Sequence, residues 1–205
     1  MKYLIFSDLH SFNEANLNII DTYFDILVFL GDIRSSFLIK ILQNFPTKPS
    51  VGILGNHDSK DLFKVVNSLV KNYCKLGMDL PEIEDINSKI FDFEVMTHTG
   101  FEGAPGDYDS ELTMTQATAD ETTILSADIL FSHETGYHYL ESQYTTHEGF
   151  KVISKYVEQE KPKYHIFGHH HKNIQFLVGD TKCFCVYGCS VFDSETGTMI
   201  NMFDE

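Results

Sequence analysis

Tyr3-Leu-Ile-Phe6 runs directly into Ser7-Asp8-Leu9-His10, an apolar stretch of one buried strand's length followed by an acid and a histidine. The pattern recurs along the chain. Ile26-Leu-Val-Phe-Leu30 leads into Gly31-Asp32, and Val51-Gly-Ile-Leu54 into Gly55-Asn56-His57-Asp58. Ile129-Leu-Phe131 leads into Ser132-His133, and Tyr164-His-Ile-Phe167 into Gly168-His169-His170-His171. Between these runs lie segments with helical spacing: 13–23, 36–44, 60–73 and 148–159. In 60–73 the expected inner face is Leu62, Val65, Val66, Leu69 and Val70. Short apolar runs alternating with helices predict an α/β fold.

Parallel strands of one sheet bring their carboxyl ends to one edge, where open α/β folds place their sites. Polar residues far apart in sequence would then converge. Asp8 and His10 are two apart, as are His169 and His171, so in extended backbone each pair faces one way and His170 faces another. His170 is therefore expected to pack or to face solvent. Gly31, Gly55 and Gly168 suit sharp turns and close backbone approach. Imidazole nitrogen and carboxylate oxygen without thiolate suit Mn, Fe, Co, Ni or catalytic Zn, and disfavour a structural zinc site.

The remaining pattern is fainter. Residues 89–96 alternate as a strand, and 98–109, with three glycines and a proline, read as a loop. Residues 110–123 carry a weak helical face. Ile174 to Val178, Cys183 to Tyr187 and Thr198 to Phe203 read as short hairpin strands.

A chain of 205 residues predicts one domain, 1–205, large enough to bury a core without disulfides. Cys183, Cys185 and Cys189 fall in a strand pattern, so reduced core thiols are expected. No apolar run is long enough to span a membrane, and the expected location is cytoplasmic. A net charge of -15 argues against nucleic-acid backbones and anionic membranes as partners.

The set Asp8-x-His10, Gly31-Asp32, Gly55-Asn56-His57-Asp58, Ser132-His133 and Gly168-His169-x-His171 resembles the calcineurin-like metallophosphoesterase superfamily, with all five motifs in that family's order. The stretch from Ser132 to His169 further resembles its small phosphoesterase branch. The resemblance implies an αββα sandwich: two facing mixed sheets with helices outside. It implies two divalent ions, Mn first, with Fe, Zn, Ni, Co or Mg as alternatives. Asp8, His10, Asp32 and His171 would hold one ion; Asp32, Asn56, His133 and His169 the other. The implied activity is hydrolysis of a phosphodiester or small phosphate ester by a metal-bound hydroxide. A phosphomonoesterase, a nucleotide pyrophosphatase and a non-catalytic scaffold are the alternatives. His57 is placed to stabilise developing charge or protonate the leaving oxygen. Asp58 would orient His57 or cap the following helix. Asn56, His57, Arg34 and His147 are expected to contact substrate, while His98, His138 and His165 are expected to be structural.

Overall fold

The computed structural model describes residues 1–12, 22–106, 111–141 and 147–203. In chain order the strands are β1 (Lys2–Ser7), β2 (Ile26–Phe29), β3 (Ser50–Gly52), β4 (Ile83–Asp85), β5 (Ile90–Phe93), β6 (Met96–Phe101), β7 (Ala104–Pro105), β8 (Thr113–Met114), β9 (Ile129–Ser132), β10 (Tyr164–Phe167), β11 (Ile174–Val178), β12 (Thr181–Cys185), β13 (Gly188–Asp193) and β14 (Thr198–Asn201). The helices are α1 (Ser35–Asn44), α2 (Leu62–Lys75), α3 (Gln116–Asp120) and α4 (Lys151–Glu160), with a 3₁₀ turn at Leu9–Ser11.

Twelve strands form two six-stranded mixed sheets, ordered β14-β13-β1-β2-β3-β4 and β11-β12-β10-β9-β6-β5. β1 to β4 run parallel, as do β6, β9, β10 and β12, and the antiparallel pairings lie toward the edges. β7 and β8 form a small separate ribbon.

Strand alternation sorts the core into layers. Tyr3 and Ile5 of β1, Ile26 and Val28 of β2, Ile129 and Phe131 of β9, and Tyr164 and Ile166 of β10 fill the space between the sheets. The alternate residues Leu4, Phe6, Leu27 and Phe29 pack outward, against Phe37, Leu38, Ile41 and Leu42 of α1 and Phe63, Val66 and Val70 of α2. On the other sheet Leu130 meets Ile153, Tyr156 and Val157 of α4. The result is helix, sheet, sheet, helix.

Several expectations need correcting. α2 turns Phe63 inward and leaves Val65 and Leu69 at 51% and 41% exposure. The alternating 89–96 segment is two strands, with a turn at Glu94 in left-handed backbone (φ 54°). Residues 98–101, expected in a loop, belong to β6 inside the second sheet. Two of its polar side chains are satisfied internally: Thr97 bonds Asp128, and His98 lies between Tyr3 Oη and the Phe91 carbonyl. The helix expected over 110–123 shrinks to α3, whose Thr115 cap accepts from the Thr118 amide. β13 is a strand that the sequence pattern does not mark as an element of its own. Most of the helix expected at 13–23 lies outside the described residues.

Candidate metal centre

The carboxyl ends of β1, β2 and β3 in one sheet and of β9 and β10 in the other meet at one seam. Sharp turns bring them there. A Cβ on Gly31 would lie 2.2 Å from the Gly55 amide nitrogen, and one on Gly168 would lie 1.9 Å from Ser7 Oγ. Asp8, Asp32, His169 and His171 all take left-handed backbone, with φ of 55°, 57°, 64° and 51°. Such backbone costs of order 1–3 kcal/mol per non-glycine residue and gathers at functional sites.

Two clusters of ligand-type atoms result. Asp8, His10 and His171 form one; Asp32, His133 and His169 form the other, with the atoms of each cluster within 4.8 Å of one another. In the second, His133 Nδ1 donates to the Leu30 carbonyl at 2.7 Å, which turns Nε2 toward Asn56 Oδ1 at 3.0 Å and Asp32 Oδ2 at 3.5 Å. A buried carboxylate, an amide oxygen and an imidazole nitrogen thus face one another, an arrangement that calls for a positive charge. Without an ion, a proton serves. Burial opposes the charge on His133, but Asp32 outweighs it and pushes the imidazole up to about 10. Burial likewise opposes ionisation of Asp32, yet His133 holds its carboxyl well below the usual range.

In the first cluster, Asp8 is fully buried. Its Oδ2 accepts from Ser7 Oγ at 2.6 Å and from the His169 amide at 2.8 Å. Among the described residues its Oδ1 has no hydrogen-bond partner, lying 3.5 Å from His171 Nε2, and His10 Nδ1 is likewise buried without one. These orphaned acceptors fit a cation, and the donor set suits Mn, Fe, Co, Ni or Zn.

His57 stands in front of the clusters. Its ring is 68% exposed with Nε2 3.9 Å from Asp32 Oδ2, and its amide donates to Asp32 Oδ1 at 2.8 Å. Asp58 does not cap α2, whose N-cap is Asp61. Its carboxylate instead accepts from the amides of Gly55, Asp32 and Ile33 at 2.9, 2.8 and 3.2 Å, tying the turn after β2 to the turn after β3. Arg34 is exposed and donates to the His10 carbonyl at 3.3 Å. The His147 ring lies 4.4 Å from that of His169 and 5.2 Å from that of His170.

Two nearby residues escape the sequence reading. Glu134 is fully buried and pairs with His170 Nε2 at 2.5 Å, so His170 is buried too and does not face solvent. Tyr187 stacks on His171, ring centroids 5.0 Å apart at 26°. A carboxylate directly after His133, in an otherwise buried stretch, is the one available signal for Glu134.

No curated protein sequence matches the chain. Solved structures of the same fold include TT1561 of Thermus thermophilus, with TM-score 0.67 and 12% identity over 98% of this chain and 99% of that one. A novel archaeal phosphodiesterase has TM-score 0.58 and 14% identity over 98% of both chains. The phosphopantetheinyl hydrolase of Mycobacterium tuberculosis has TM-score 0.55 and 10% identity over 91% of this chain and 89% of that one. At these identities the likeness is one of fold. The family profile described as calcineurin-like phosphoesterase matches residues 1–173, a span that contains every strand end feeding the seam. With that match and the two-sheet sandwich in agreement, the chain belongs to the calcineurin-like phosphoesterase family.

Proposed function

We propose that this chain, acting as one domain over residues 1–205, hydrolyses a phosphodiester or small phosphate ester with two divalent ions held at the seam. One observation carries the reading: two adjacent clusters of inward-facing carboxylate, amide and imidazole groups, including the buried and unpartnered Asp8 Oδ1. Asp8, His10, Asp32 and His171 would hold one ion, and Asp32, Asn56, His133 and His169 the other, with Asp32 shared. Mn is the first choice. When bound, the pair of ions supplies Lewis acidity toward phosphoryl oxygens and acidifies a water at neutral pH.

The protein's own groups do the rest. The Leu30 carbonyl fixes the His133 tautomer, so Nε2 is the coordinating nitrogen. Asp58 locks the turns that carry Asp32 and Asn56. His57 is exposed, tethered through its amide, and free to approach a leaving oxygen with a proton. Arg34 and His147 flank the seam and offer contacts to phosphate or leaving group. Two divalent ions against Asp8 and Asp32 leave the seam locally positive on a chain of net charge -15, which favours a small anion over a polyanion. Cys183, Cys185 and Cys189 are buried and free, which supports a reducing, cytoplasmic setting. Among the described residues no helix is long and apolar enough to cross a membrane.

The test compares bis-p-nitrophenyl phosphate with p-nitrophenyl phosphate on Mn-loaded protein. The diester is expected to be preferred, in keeping with the phosphodiesterase among the structures of this fold; a clear monoester preference would assign the chain to phosphatases. Asp32→Ala should lose turnover and at least one ion by elemental analysis. Full turnover and full metal content in that variant would remove the assignment.

A further inference from the structure

Glu134 is a fully buried carboxylate whose two oxygens are treated unequally. Oε1 accepts from the Thr135 amide at 2.7 Å and from His170 Nε2 at 2.5 Å. Among the described residues Oε2 has no hydrogen-bond partner, and it lies 3.6 Å from Nε2 of His169. A buried anion leaves an oxygen unsatisfied only at a cost, and here the ring of a proposed ligand stands close to that oxygen. His170 and the Thr135 amide hold the carboxylate in place, while the His147 ring packs on His169 and limits its rotation.

We propose that Glu134 is a positioning residue for the second ion: its Oε2 takes the Nε2–H of His169 and thereby presents Nδ1 of that ring to the Asp32–Asn56–His133 cluster. Imidazole has two nitrogens, and the hydrogen bond made by one decides which lone pair is left for a metal. A shift of a few tenths of an ångström brings 3.6 Å into hydrogen-bond range. His170, between two proposed ligands in sequence, thus serves by clamping the clamp. The Leu30 carbonyl does for His133 what Glu134 does for His169, so each histidine of this cluster has a dedicated acceptor behind it.

The inference rests on the two-ion reading, and one titration separates the two. Metal-free wild type, Glu134→Gln and Glu134→Ala are titrated with Mn²⁺, with free ion followed by electron paramagnetic resonance. Wild type should bind two ions. Glu134→Ala should keep the first binding step and weaken the second about 10–100-fold, with Glu134→Gln between the two. In the Zn-loaded protein, a slowly exchanging His169 Nε2–H proton resonance should be present in wild type and lost in Glu134→Ala. Two-step binding in wild type with an unchanged second step in both variants overturns the role of Glu134 alone. Fewer than two ions in wild type overturns the two-ion reading, and this inference with it. Should Glu134→Ala not fold, the near-isosteric Glu134→Gln decides by the same second step.

Discussion

His57 is more exposed than the other motif residues, His171 at 45% included. Asp8, Asp32, Asn56, His133 and His169 are buried, whereas the His57 ring faces solvent and only its amide is held by Asp32. Its ring belongs to neither ligand cluster, and its exposure suits a group that must reach a passing substrate. His57→Ala is therefore expected to retain both ions and lose about 10²–10⁴-fold in kcat; loss of an ion would make it a ligand or a structural support. The residues legible in the sequence are those whose place follows from standing at a strand's end: Asp8, Asp32, Asn56, His133, His169. Glu134 and Tyr187 are not, because their parts depend on neighbours from other elements. Glu134 acts across to the turn after β10, and Tyr187 reaches His171 from the β12–β13 connection. No spacing encodes either contact.

At the level of elements, apolar runs expose β1, β2, β9 and β10, and the lack of one hides β6. That strand buries Thr99 and His98 and pairs the His98 ring within the protein, so it carries no hydrophobic signature. The apolar pattern places Leu62, Val66 and Val70 of α2 inward as found but misplaces Val65 and Leu69, because Leu and Val lie on both sides of the helix and only packing decides which are covered. β10 makes the energetics testable. His165 is fully buried in it, with Nε2 2.7 Å from Ser132 Oγ, and burial lowers it to about 3. The folded chain keeps this ring neutral while the unfolded chain takes up a proton below about pH 6.5. Unfolding free energy should thus fall as pH drops from about 6.5 toward 3, by at most about 1.4 kcal/mol per unit from this group. Urea unfolding at pH 7 and pH 5, both in chelator, should show a smaller pH difference in His165→Leu than in wild type. Equal differences would mean the acid sensitivity originates elsewhere.

For the molecule as a whole, the seam draws Asp8, His10, Asp32 and Asn56 from one sheet and His133, His169 and His171 from the other. Ions held there would rivet the sheets together at one end, beyond the apolar layer that already joins them. Chelation should lower the thermal midpoint, and Mn at about 100 times its Kd should restore about 2.7 kcal/mol per site. A midpoint indifferent to metal would mean that the sheets close without ions. Phe131 measures the apolar share: it lies between the sheets against Tyr3 and His98, and Phe131→Ala should cost about 3–5 kcal/mol in chelated protein.

Asp8, Asp32, His169 and His171 hold a backbone shape that glycine would adopt without penalty. Glycine is also unable to grip a cation. Heat selection applied in chelator to a population of variants, with no demand for turnover, should drift toward glycine or asparagine at these four places. Its survivors would be sturdier and inert, marking where endurance and chemistry pull the same residues in opposite directions.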